Sequence, residues 1–305
     1  MLIVYFPKEC RFGYYSIALH KNNPAVEPGD TTKHPESKEY IFAEASIPRA
    51  VASLAVPTII SQLVTMVYNL ADTFFVGQTG DPNQVAAVTL SFPAFWTLTA
   101  LANLFGVGGC SLIARSLGMG KPDQARKTAA FCVYASVGSA LAYSFLVLAL
   151  KRPFLALLGA GATTEEFTLN YLMWVLVLGG APTVLSLVLA NLVRAEGGAR
   201  VASVGLSLGG ILNIILDPVF ILSLGMGVKG AAIATMLSNL AAAVFFLVHL
   251  YRRRGRTVLS LNPARFSLER RLAFSVVSVG LPASLQTCLS IVSNTTLNKL
   301  ASSYG

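Results

Sequence analysis

Charge is scarce in this 305-residue chain: only 12% of its residues are Asp, Glu, Lys or Arg. A soluble globular domain carries about a quarter, so scarcity at this level excludes an ordinary water-facing surface. Histidine is scarcer still, with three residues scattered too widely for a ligand cluster. The four cysteines (Cys10, Cys110, Cys132 and Cys288) have no metal-binding or redox spacing. Three of them lie inside apolar stretches and read as small buried hydrophobes. There is no nucleophile–base–acid set and no metal-protease motif, and no glycine loop is followed by lysine and hydroxyl at phosphate-cradle spacing. An enzyme is therefore not expected, and no cofactor is implied.

What is present is apolar: 54% of residues are hydrophobic, and mean hydropathy is +0.64. The bilayer is the expected partner. Net charge is +9, but nucleic acid would need an exposed basic face. Here the basic residues fall between apolar runs, where topology explains them. Seven runs approach the roughly 20 residues that a bilayer requires, at 50–74, 87–112, 128–150, 168–190, 202–224, 230–250 and 272–297. This predicts an all-α polytopic membrane protein. Residues 1–46 form a polar, turn-rich leader. Its apolar start, "MLIVYF", is too short for a signal peptide and has no basic residue before it.

Basic residues choose the orientation. With a cytoplasmic N-terminus, nineteen of the 23 lie inside: six up to Arg49, four from Arg115 to Lys127, Arg194 and Arg200, and seven from Arg252 to Arg271. Only Lys151, Arg152, Lys229 and Lys299 lie outside. The first and seventh runs also resemble each other at a constant offset, pairing Pro57 with Pro282, Val67 with Val292, Asn69 with Asn294 and Gly80 with Gly305. Six spans separate equivalent points, so the repeat is parallel, about an axis along the membrane normal. The expected organisation is a leader (1–46), a six-helix bundle (47–251), a basic cytoplasmic loop (252–271) and the first helix of a second bundle (272–305). Seven helices do not complete two six-helix bundles, so the chain is expected to be C-terminally truncated, part of something nearer 12 spans.

The stretch "LNIILDPVF" (212–220) stands out, because Asp217 is the one charge between Val201 and Met226. A charged aspartate in hydrocarbon costs about 2.5–3.5 kcal/mol on insertion scales, so it should face a cavity, a partner or a cation, or carry a proton. Asn213 lies four residues before it, on the same helix face, and Pro218 removes a backbone donor directly behind. Asp217 is 17 residues past Arg200, roughly 25 Å along a helix. Thr235 lies six residues past Lys229 on the way back, and Asp72 near the outer end of the first span, one turn after Asn69. Asp72, Asn213, Asp217 and Thr235 can share one level in the outer half of the membrane. Their hard oxygens suit Na⁺, and the carboxylates can instead exchange a proton. Each residue also has a plainer role. Asp72 could sit at the interface, Asp217 could be a structural hydrogen-bond partner, and Asn213 and Thr235 could pack helices. Tyr68 and Trp174 could be ordinary lining aromatics. The glycines at 106–109, 179–180 and 209–210 read as packing or hinge sites.

Three blocks, "LAVPTIISQLVTMVYNLADTFFVGQTG" (54–80), "GVGGCSLIARSLGMGKPDQARK" (106–127) and "GGILNIILDPVFILSLGMGVKGAAIAT" (209–235), resemble the multidrug and toxic compound extrusion (MATE) family, more narrowly its bacterial MepA/DinF-like branch. The resemblance runs from about residue 47 to the end. It implies two six-helix bundles in a V around a central cavity, in an inner-membrane antiporter that is a monomer when full length. It implies export of small organic cations or amphipathic drugs in exchange for H⁺ or Na⁺. It also implies an ion-coupling site at Asp72, Asn213, Asp217 and Thr235, with Tyr68 and Asn69 as substrate-cavity candidates. A flippase for a lipid-linked precursor, from the same wider superfamily, is the alternative within transport. Such a protein would line its groove with arginines, and none lies mid-span here. A non-transporting membrane structural or binding protein would leave the shared level of Asp72, Asn213 and Asp217 without a reason.

Overall fold

Caps and prolines, more than the ends of the apolar runs, decide where the helices stop. The computed structural model describes residues 47–254, 257–259, 262 and 266–304. The 1–46 leader and the remaining residues of the 252–271 loop lie outside the described residues. The described elements are α1 (Ile47–Gly77), α2 (Pro82–Gly118), α3 (Pro122–Ala149), α4 (Lys151–Leu158), α5 (Glu165–Leu172), α6 (Gly180–Ala195), α7 (Ala199–Pro218), α8 (Gly227–Arg252) and α9 (Arg270–Tyr304). There is no strand among the described residues.

Asp81 caps α2 by accepting the Asn83 amide at 2.9 Å, and Pro82 fills the first turn, where a missing N–H costs nothing. Pro122 starts α3 in the same way. These signals carry both helices several residues beyond their apolar runs. At 37 residues, α2 is roughly 55 Å long and protrudes from the roughly 30 Å hydrocarbon layer. Among the described residues, six helices are long and apolar enough to cross a membrane. A seventh span exists if α5 and α6 count as one crossing, bent by 50°. The bend has a local cause. Met173–Leu178 winds as a π-helix, with the Gly179 amide donating to Trp174 O five residues back, before α6 restarts at Gly180. A second π segment, Val219–Ser223, follows Pro218 and closes with the Leu224 amide on Val219 O.

Small residues let the helices approach, as expected where lipid removes the usual hydrophobic drive. Gly109 of α2 fits beside Cys132 and Leu192, Gly209 of α7 against Ser238 and Ala242 of α8, and Gly210 of α7 against Val64 and Tyr68 of α1. The main core joins α2, α3, α6 and α8. Helix α1 packs chiefly on α7 and leaves Ile59, Leu63, Met66, Leu70 and Phe74 exposed along its length.

Helix α9, as the start of a second bundle, is expected to be detached or poorly supported at its far side, with an apolar exposed face. It is not detached. It packs along α2, where Gly108 lies against Val276 O and Gly280 against Leu104 O, positions that leave no room for a Cβ. Asn103 donates to Thr287 Oγ1 at 3.0 Å in the same contact. Its other side, with Phe274, Leu281, Leu285, Leu289 and Val292, is uncovered. Cys288 is exposed too and Cys110 half-buried, so of the three cysteines read as buried only Cys132 is. An apolar neighbourhood in sequence does not choose which face of a helix a residue occupies.

Candidate functional site

Four helices, α1, α5, α7 and α8, meet around a polar cluster. Asp217 of α7 is fully buried, Asn213 is 2% exposed, and Asp72 of α1 and Thr235 of α8 are 6% exposed each. One helical turn separates Asn213 from Asp217, so the Asn213 amide nitrogen donates to Asp217 Oδ1 at 3.1 Å. The same nitrogen reaches Thr235 Oγ1 at 3.5 Å, a long contact across the α7–α8 interface. Asp72 lies within electrostatic reach of Asp217.

The cluster is short of donors. Asp72 Oδ1, Asn213 Oδ1 and Asp217 Oδ2 are buried without a hydrogen-bond partner. Most buried polar atoms in proteins have one, and three orphaned acceptors together call for a positive charge or a proton. Among the described residues no group of three or more His, Cys, Asp or Glu side chains could hold a metal ion. A hard monovalent cation would have to draw on amide and hydroxyl oxygens as well as the two carboxylates.

Tyr68 is half-buried beside Gly210, one turn from Asp72 and within electrostatic reach of both acids. Asn69 is not in the buried cluster. It sits exposed on α1, where its carbonyl accepts the Thr73 hydroxyl at 3.2 Å. Trp174 lies over Lys229 Nζ at 5.9 Å from the ring centre, a cation–π contact.

Tyr171 of α5 went unnoticed in the sequence. It is buried, within electrostatic reach of Asp72, Tyr68 and Asp217. The depth ruler that found Thr235, six residues past Lys229, would have found it six residues past Glu165. Tyr171 also belongs to an apolar layer with Val76, Ile221, Val228, Ala231 and Ala232. On each helix these residues lie within about two turns of the polar one, toward the end carrying the 77–82 and 223–227 turns. The layer closes that end of the cluster.

A family profile described as MatE matches residues 57–219, which contain Asp72, Asn213 and Asp217. The chain belongs to the MATE family. The multidrug export protein MepA of Staphylococcus aureus (strain NCTC 8325 / PS 47) is 30% identical over 266 residues, 87% of this chain and 58% of that protein. MepA of Staphylococcus saprophyticus matches to the same extent. The chain thus spans less than two thirds of the length of the curated relatives it matches. Among solved structures, MATE in the straight conformation superposes with a TM-score of 0.77 at 33% identity, over 85% of this chain and 57% of that one. An outward-facing multidrug resistance MATE transporter of the MOP superfamily gives 0.76 at 33% identity, over 82% and 55%. Together with its apolar helices, MATE membership makes the chain a multi-pass membrane protein.

Proposed function

We propose that this chain works in a cation-coupled antiporter that exports cationic or amphipathic organic compounds across the cytoplasmic membrane. The observation that carries this reading is the set of three donor-less oxygens on Asp72, Asn213 and Asp217, buried where four helices meet. Two carboxylates within electrostatic reach of each other and away from water are costly when both are charged. An Na⁺ ion would draw oxygen ligands from Asp72, Asp217, Asn213 and Thr235. A proton on one carboxyl group would instead donate to a neighbouring orphaned acceptor. Either removes the repulsion between α1 and α7, and so biases the bundle between two arrangements. Pro218 and the π segment behind it give α7 a place to bend.

Tyr68 and Asn69, on the α1 flank, are the proposed substrate contacts. The substrate class draws support from the multidrug export named for the staphylococcal relatives. In the proposed arrangement 47–251 form one bundle, 252–271 a cytoplasmic loop and 272–305 the first helix of a second bundle, in a protein that functions as a monomer with a cytoplasmic N-terminus.

The test is dye efflux from proteoliposomes under imposed H⁺ or Na⁺ gradients, normalised to folded protein. Asp217→Asn keeps size and one acceptor but removes the ionisable pair, and should abolish gradient-driven efflux while insertion continues. Asp72→Asn should behave alike, and Asn213→Ala and Thr235→Ala more mildly. Undiminished rates for Asp217→Asn under both gradients would reject the coupling role.

A further inference from the structure

The segment joining α8 to α9 is tied to the bundle at successive points. Glu196, in the three-residue turn between α6 and α7, directs its carboxylate at the segment. The Thr257 hydroxyl lies 2.9 and 2.8 Å from its two oxygens, and the Val258 and Leu259 amides donate to Oε1 at 2.5 and 3.0 Å. The Leu259 amide also reaches Thr257 Oγ1 at 3.1 Å, which holds the three residues in a cup around the carboxylate. Leu259 then enters the main core, 5% exposed. Phe266 stacks on Phe131 of α3, with ring centres 6.3 Å apart, and meets Tyr134 edge-on at 5.8 Å. Glu269, one residue before α9, accepts Ser267 Oγ at 3.0 Å and Lys127 Nζ at 3.4 Å. The Ser267 hydroxyl, then Lys127, hold its carboxyl below the usual glutamate range.

Glu196 is badly placed for its own helix. It is the C-cap residue of α6, where the macrodipole and the last carbonyls disfavour an acid. Its three donors all come from another segment, some 60 residues on, and bonds from N–H and O–H groups to a carboxylate are the strong, charge-assisted kind.

We propose that Glu196 is a latch that fastens the linker to the first bundle, so that residues 257–259 move with that bundle. The attachment stands without any transport. Only its consequence, that the latch sets where α9 begins as the two bundles move, rests on the antiporter reading. In that role Glu196 is a positioning residue, acting through the linker on α9.

Hydrogen exchange on the full 305-residue chain in nanodiscs, resolved to single amides by fragmentation, tests the latch. In Glu196→Ala the Val258 and Leu259 amides should exchange at least about ten-fold faster, with the buried α6 amides at 188–193 unchanged. Thr257→Val, which removes one donor and leaves the carboxylate in place, should give a smaller acceleration at the same two amides. If Glu196→Ala speeds the α6 amides as well, the bundle has loosened and Thr257→Val decides. Wild-type exchange at 258 and 259 in the deciding variant overturns the latch. Efflux of the same variants in proteoliposomes separates the two readings, since faster local exchange without any efflux keeps the latch and removes the antiporter.

Discussion

Asp217 is fully buried yet bonded through only one of its oxygens, and its neighbour Asn213 spends its amide nitrogen on two acceptors while its own oxygen goes unmatched. Where three acceptors lack a donor, a single added hydroxyl counts. Tyr171 packs in the apolar layer and is within reach of both acids. Tyr171→Phe keeps the ring in that layer and removes only the hydroxyl, so thermal stability in detergent should hold. If the hydroxyl serves the carboxylates, gradient-driven efflux should fall about ten-fold, the worth of one hydrogen bond to a charged group. Equal efflux from the two proteins would confine Tyr171 to packing. The spacing of Asn213 and Asp217 made their shared face visible in sequence. Spacing puts Tyr171 at their depth, six residues past Glu165, but its partners lie on other helices, so spacing could not turn its side chain toward them.

The α2–α9 pair shows what an element's sequence leaves open. Both helices are apolar on several sides, and hydropathy gives no reason for them to meet. Contact forms because Gly108 and Gly280 each let a backbone carbonyl of the partner approach to where a Cβ would stand. Asn103 and Thr287 add a hydrogen bond worth about 0.6 kcal/mol, since transmembrane side-chain bonds are weak on average. Gly280→Ala should therefore disturb the pair far more than Thr287→Val. Overpacking costs roughly 1–3 kcal/mol where neither backbone can retreat. Disulfide trapping between cysteines placed at 103 and 287 should be efficient on the wild-type background and fall several-fold with Gly280→Ala. Unchanged trapping would mean that the helices accommodate the methyl group.

At the scale of the molecule, the orientation rests on charge alone, and the nineteen basic residues assigned to the cytoplasmic side make it testable. Cysteines placed at Lys121 and Arg253, both exposed at helix ends, should be shielded from an impermeant maleimide in intact cells. A cysteine at Lys151 or Thr163 should react. The reverse pattern would invert the topology and undo the depth argument that groups Asp72, Asn213, Asp217 and Thr235.

Composition and apolar runs near 20 residues determined that this chain spans a membrane as helices, since the other structure lipid allows, a closed barrel, is built of short strands of alternating hydrophobicity. Spacing along single helices determined the depth of the acids and the shared face of Asn213 and Asp217. The tertiary structure decided what spacing cannot express. It put Tyr171 beside the acids, left Asn69 exposed outside the cluster and turned Cys288 outward. It also drew α9 onto α2 and closed the linker over Glu196. Periodicity reports the position of a residue on its own helix, whereas each of these outcomes depends on how helices rotate and approach one another. In a bilayer that is settled by which backbones can come close, at glycines such as Gly108, Gly210 and Gly280.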